Sequence, residues 1–296
     1  MLSMLSGVSV ICFAASYSVA FALEVTRLLF RSGIRGALMM GFAGAGLVAH
    51  SAFLYYRAVS TAGSPLSSER DWYLMAAWGL AAFYLYLAYY RPKIPFGLFL
   101  LPLVLGLIAV AVFLAQPEPY AREPASRAWG LIHGVSILLA TISVLVGFVS
   151  GVMYFEQARR LKRKPPSTYR LRLPSLEWLQ RANGRAIVAS LLLLGAGVLS
   201  GAILNRINQA ARVPASDPVV LSTVVMFVWL LLASGIAFLY KPAEAGRKVA
   251  CLTVLSFVFL VAALAVGLFL DTQHGGNIAP KAQETRVDSQ RAGGGP

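Results

Sequence analysis

Three histidines stand out in this chain of 296 residues, because each lies in or beside an apolar run. His50 lies inside one run, His133 just after the start of another, and His274 just past the end of a third. An imidazole in or against a bilayer is costly and rare, so each is a candidate for function. Neutral imidazole is the commonest metal ligand, and two at one membrane face can hold a metal ion or a haem iron between them. The elements that carry the three decide whether any two meet.

The sequence is 58% hydrophobic and 13% charged, against about 25% charged in soluble domains. That balance defines an all-α integral membrane protein. The formal net charge is +14. The basic residues sit in short segments between apolar runs, as the positive-inside bias requires, so nucleic acid is not expected as a partner. Membrane lipid is expected. The run Arg159, Arg160, Leu161, Lys162, Arg163, Lys164 is placed to meet anionic headgroups at about 1 kcal/mol per basic residue. Cys12 and Cys251 lie in apolar stretches without a CxxC, which reads as two buried structural thiols and no redox pair.

Eight runs are long enough to cross a hydrocarbon core, which takes about 20 residues each. They fall near 5–25, 37–56, 72–90, 96–115, 129–154, 186–205, 219–239 and 249–270. The first is not read as a cleaved signal, because Arg27, Arg31 and Arg35 follow its apolar core rather than precede it. The loops at 26–36, 91–95, 155–185 and 241–248 carry 17 of the 26 Lys and Arg residues, and the alternate loops carry 6. The richer side is cytoplasmic, which puts both termini outside. His133 and His274 then lie at the outer face, and His50 lies within the bilayer. Within 155–185, Ser175 after Pro174 is a plausible N-cap, and Leu176, Trp178 and Leu179 suit the interface. Residues 1–274 form the membrane domain, and 275–296, Gly- and Ala-rich without an apolar period, are expected to be disordered.

Several stretches in order then resemble the cytochrome c assembly family of haem-handling membrane proteins. They are Leu47-Val48-Ala49-His50-Ser51-Ala52-Phe53 with Arg57, and Gly63-Ser64-Pro65-Leu66-Ser67. Next come Met75-Ala76-Ala77-Trp78-Gly79-Leu80 and Trp129-Gly130-Leu131-Ile132-His133-Gly134-Val135-Ser136. Leu173-Pro174-Ser175-Leu176-Glu177 follows. The resemblance runs from about residue 40 to 276 and is nearest the HemX-like, YpjD-like branch. It implies an inner (cytoplasmic) membrane protein, multi-pass, that works in cytochrome c biogenesis. It implies non-covalent haem b as cofactor, held at the outer face by His133 and His274 as axial iron ligands. Haem, other cytochrome c maturation proteins and apocytochrome are the implied partners. His50 matches an intramembrane histidine that serves a second haem site in one branch. Two features depart from the pattern. The segment 209–218 holds no tryptophan where the family has a tryptophan-rich loop, and Asp217-Pro218 alone resembles the end of that motif. The partner of the intramembrane histidine would fall at Gly235, which cannot ligate.

A haem would find further recognition groups here. Arg122, Arg127, Arg206 and Arg212 in the outer segments offer guanidinium forks to its propionates, and Trp129, one turn before His133, offers a stacking face. Asp217 belongs to the same set through the motif. No acidic residue lies in mid-membrane, which argues against a proton-coupled transporter. No P-loop, Ser–His–Asp set or HExxH is present, and nothing in the sequence marks an enzyme. Glycine clusters at 41, 44 and 46 and at 195, 197 and 201 point to close helix packing. The alternatives to haem handling are a structural or regulatory membrane subunit and a small-molecule permease.

Overall fold

A computed structural model describes residues 9–26, 33–60, 68–117, 127–163, 172–207, 212–239, 242–270 and 272. Every regular element among them is a helix: α1 (Val10–Thr26), α2 (Gly33–Ser60), α3 (Glu69–Tyr90), α4 (Gly97–Phe113), α5 (Arg127–Arg163), α6 (Leu176–Ile207), α7 (Pro218–Leu239) and α8 (Pro242–Phe269). Five of them, α2, α5, α6, α7 and α8, are long and apolar enough to cross a membrane. The chain is a helical, multi-pass membrane protein. α1 and α4 are apolar but have 17 residues each, about 25 Å of helix. α3 has the length, but its seven Tyr and Trp residues dilute its hydropathy.

The helix ends follow from local chemistry. Ser68 caps α3, its Oγ accepting from the Asp71 amide at 3.1 Å, with Glu69 and Asp71 in the first turn against the helix dipole. Ser175 caps α6 as its place after Pro174 predicts, accepting from the Trp178 amide at 3.3 Å. Asp217 caps α7 ahead of Pro218, whose missing amide costs nothing at a first helical position.

The helices form two groups of four. α1, α2, α3 and α4 pack on one another, as do α5, α6, α7 and α8, and α5 joins the groups by packing on α3 and α4. In the first group the α2–α3 pair is pinned by polar bonds. Arg57 Nε meets Asp71 Oδ1 at 2.6 Å, and Trp78 Nε1 donates to Ser51 Oγ at 2.8 Å. In the second, Trp229 Nε1 of α7 donates to Ser256 Oγ of α8 at 3.0 Å, and Phe148 of α5 stacks on Phe257 of α8 at 3.9 Å. Gly147 and Gly151 let α8 approach α5. A Cβ on Gly151 would lie 2.7 Å from Thr253 Oγ1 and 3.0 Å from the Ala250 carbonyl oxygen.

Three expectations need correction. The segment 155–185 is not one loop: α5 runs on to Arg163 and α6 begins at Leu176, so Arg159, Arg160 and Lys162 are helical, and Arg160 pairs with Glu156 one turn back at 2.8 Å. Leu179 is fully buried rather than interfacial. Trp178 packs on Phe96 in the α3–α4 turn, with Arg91 over its ring at 5.8 Å. Cys12 and Cys251 are exposed on their helices, not buried. The tail 275–296 lies outside the described residues.

The glycine contacts predict a contrast. Gly151→Val forces a branched side chain into the α5–α8 seam, a cost of about 1–3 kcal/mol. Gly41→Ala meets open space and gains helix propensity of up to about 1 kcal/mol. Thermal unfolding of the two variants in detergent should show a marked drop for Gly151→Val and none for Gly41→Ala.

Candidate functional site

The first turns of α5 lie against the last turns of α6, where Gly197 and Gly201 sit one turn apart. On α5, Ile137 and His133 are also one turn apart and fit onto them. A Cβ on Gly197 would lie 2.5 Å from Ile137 Cδ1, and one on Gly201 would lie 2.9 Å from both Cε1 and Nδ1 of His133. The two glycines therefore form the seat of the imidazole. In that seat His133 Nδ1 bonds the Gly197 carbonyl oxygen at 2.8 Å. A carbonyl only accepts, so Nδ1 carries the hydrogen, and the lone pair of the neutral ring is on Nε2. Metal-binding histidines are commonly oriented by such a backbone bond through the other ring nitrogen. The Ser200 hydroxyl, shared between the carbonyls of Ala196 at 2.7 Å and Gly197 at 3.0 Å, adds to the polar character of this turn. His133 is half-buried and lies six residues into α5, about 9 Å from its start.

The same end of the bundle carries the other predicted groups. Asn205, one turn beyond Gly201, clamps the segment before α7. Its Nδ2 donates to the Val213 carbonyl at 2.9 Å, and its Oδ1 accepts from the Val213 amide at 2.8 Å. A cleft of about 380 Å³ opens here, lined by Asn205, Arg206 and Arg212. Asp217 is buried. Its Oδ1 accepts from the Val219 amide at 2.9 Å, and the Thr272 hydroxyl donates to both its oxygens at 2.8 and 2.9 Å. Trp129 is exposed on α5, one turn ahead of His133. His274 and Arg122 lie outside the described residues, as does the side chain of Arg127.

His50 is elsewhere. It sits in mid-α2, fully buried, with Phe13 stacked on its ring at 4.0 Å and 4° and the Tyr17 hydroxyl 3.5 Å from Nδ1. Its Nε2 is buried with no hydrogen-bond partner among the described residues. α2 packs on α1 and α3 while α7 packs on α6 and α8, and Gly235 of α7 is exposed with open space over it. The structure therefore brings His133, Asp217, Arg206 and Arg212 to one end and leaves His50 with α1. Among the described residues no three His, Cys, Asp or Glu side chains cluster as a metal site.

Sequence reasoning singled out the glycines at 197 and 201 as packing residues but missed that they seat His133. The readable signal was their spacing of four, which matches the spacing of His133 and Ile137 on the facing helix. Asn205 and Thr272 were missed, because a lone Asn or Thr near a helix end carries no pattern of its own.

The fold and this end of the bundle define a multi-pass helical membrane protein with an imidazole oriented by a helix carbonyl at the end that also carries an arginine-lined cleft. Residues 66–274 match the family described as Cytochrome C assembly protein, and the chain belongs to that family. It is thus a membrane protein of cytochrome c biogenesis. It is also 29% identical over 234 residues to a protein of Azospirillum brasilense named "Uncharacterized 28.8 kDa protein in nifR3-like 5'region", covering 77% of this chain and 81% of that one.

With three histidines in the chain, ¹⁵N-histidine spectra are readily assigned by single substitutions. His133 should show a protonated, hydrogen-bonded Nδ1. Gly201→Val should displace the ring and remove that signature, while the His50 resonances stay in place. An unchanged His133 signal in Gly201→Val would mean the glycine is not its seat.

Proposed function

We propose that this protein holds haem non-covalently at the outer face of the inner membrane, through His133 and His274 as axial ligands, for use in cytochrome c biogenesis. One observation carries the reading: the Gly197 carbonyl and the Gly201 seat orient His133 so that Nε2 holds the lone pair an iron needs. The donor set fits haem. Bis-imidazole ligation is within the range of haem proteins, and the cleft at Arg206 and Arg212 suits the two propionates. Trp129, one turn from His133, offers an aromatic edge to the macrocycle. Haem bound here would supply a redox-active iron, and the chain's own work is to orient the imidazoles, neutralise the propionates and keep the ring against the bilayer.

The same reading takes all eight helices as membrane-crossing with both termini outside. Arg91, Lys93, Arg159, Arg160, Lys162, Arg181, Arg185, Arg247 and Lys248 then lie at the cytoplasmic end, as the positive-inside bias requires. Asp217, held by the Val219 amide and the Thr272 hydroxyl, lies at the same end of the bundle. His50, stacked on Phe13 and distant in the packing from Gly235, serves as a pin between α1 and α2. In this reading the role is delivery or presentation of haem to other maturation proteins or apocytochrome.

The protein purified in detergent and given ferric protohaem should develop a Soret band. His133→Ala should weaken it, His133→Ala with His274→Ala should abolish it, and His50→Ala should leave it. Arg206→Ala with Arg212→Ala should lower haem affinity roughly tenfold, as loss of a charge-assisted contact implies. A protein that stays colourless with haem present overturns the reading in favour of a structural subunit.

A further inference from the structure

On the haem reading above, we infer that Asn205 is a positioning residue that clamps Arg212 beside Arg206, and that this pairing makes the site select a ligand with two free carboxylates. Asn205 lies near the end of α6, and its amide meets one residue of the segment before α7 with both its groups. Nδ2 donates to the Val213 carbonyl at 2.9 Å, and Oδ1 accepts from the Val213 amide at 2.8 Å. Two opposed bonds to one residue reproduce the exchange of a hydrogen-bonded antiparallel pair, and they fix rotation as well as distance. Arg212 and Val213 belong to no helix, so the ladder of α6 does nothing for them, and the Asn205 clamp ties them to it.

The consequence falls on the arginines. Arg206 follows Asn205 and Arg212 precedes Val213, so each is one step of about 3.8 Å from a clamped Cα. Together with Asn205 they line the cleft of about 380 Å³. Both are exposed, and among the described residues neither forms an ion pair. Two guanidinium groups held at one cleft repel each other, and an anion between them relieves that repulsion. Each fork matches one carboxylate through two parallel bonds. Two forks on two chain segments therefore suit two carboxylates on separate arms, as on a porphyrin edge, better than one compact phosphate. Gly197, Gly201 and Asn205 follow one another at single turns along α6, so the clamp lies about 6 Å along the axis from the seat of His133. The imidazole and the paired arginines thus face one ligand-sized region, and Asn205 acts on the ligand through Arg212 rather than by touching it.

The probes are ferric protohaem and its dimethyl ester, which has the same iron and macrocycle without the carboxylate charges. Both are titrated into the full chain in detergent. Wild type should bind the free acid about tenfold more tightly than the ester. Asn205→Leu keeps the side-chain size and removes both clamp bonds. It should cut the preference to about twofold, while the Soret position, set by iron ligation, stays that of wild type. Asn205→Gln, which keeps the amide on a longer arm, should fall between, and Arg206→Ala with Arg212→Ala should bind acid and ester alike. In the haem-free protein the Val213 amide should exchange faster in Asn205→Leu while amides of α5 keep the wild-type rate, which separates a released arginine from a damaged fold. Added phosphatidylglycerol should leave the wild-type preference in place; a preference that it erases would make the cleft a lipid-phosphate site and overturn the assignment. Equal wild-type affinity for acid and ester, or a full preference kept in Asn205→Leu, overturns the role of Asn205 and leaves the haem site standing. Wild type that takes up neither probe overturns the haem reading and this role with it.

Discussion

The close approach of α5 and α6 is the contact on which the candidate site of this protein depends. In a bilayer the hydrophobic effect does not draw helices together, since lipid tails are as apolar as leucine, and association rests on packing and interhelical bonds. Gly197 and Gly201 supply the packing by presenting bare backbone where Ile137 and His133 arrive. The bare backbone also lets the Gly197 carbonyl reach Nδ1 at 2.8 Å. One feature thus joins the helices, satisfies a polar ring that lipid cannot solvate, and sets its tautomer. The pair Gly147 and Gly151 repeats the device at the α5–α8 contact, with Thr253 in place of histidine. α5 is therefore gripped on two sides, which keeps His133 from rotating with the helix.

Most of the buried hydroxyls and indoles follow one rule, being either bonded back to their own helix or spent on a neighbour, while Asn183 and His50 Nε2 are buried without a hydrogen-bond partner among the described residues. Ser190, Ser200, Thr253 and Ser256 return their hydroxyls to carbonyls three or four residues back. Trp78 with Ser51, Trp229 with Ser256, and Arg57 with Asp71 cross between helices. Interhelical hydrogen bonds in membranes average about 0.6 kcal/mol, so no one of them holds the bundle. Their value is directional, since each fixes the rotation of two helices that would otherwise slide on apolar surface. Several of the residues through which the chain resembles its family, Ser51, Arg57 and Trp78 among them, do this work.

The fold was legible in the sequence where the bilayer dictates the pattern. Each of the eight apolar runs overlaps a helix among the described residues, the form in which an apolar chain satisfies its amides within itself. The pattern fell silent where helices leave the apolar region. α5 continues through Glu156 to Arg163, where a charge pair one turn apart replaces burial as the support, and hydropathy cannot see that. The exposure of Cys12 and Cys251 was misjudged for a related reason: in an apolar helix the outward face is as apolar as the inward one, so composition does not say which way a small thiol points. Ser175 was legible as a cap, because capping is local chemistry with a strict residue preference, whereas Asp217 drew attention through the family motif and not as the cap it is.

The candidate site was conspicuous in its histidine and illegible in that histidine's supports. A histidine in an apolar run is conspicuous by type alone, but what orients it lies sixty-four residues away on another helix, and no local pattern encodes such a distance. The same holds for His50, which matches His133 in sequence conspicuousness and differs wholly in surroundings. One ring stacks on Phe13 at 4.0 Å with the Tyr17 hydroxyl near its Nδ1, and the other is aimed by the Gly197 carbonyl. The difference comes from the partner helix. α1 meets α2 with aromatic side chains, which enclose an imidazole, whereas α6 meets α5 with glycine, which leaves the ring room and a backbone acceptor. In this bundle the residue type opposite a histidine, rather than the histidine itself, separates a ring enclosed by aromatics from one aimed by a backbone carbonyl.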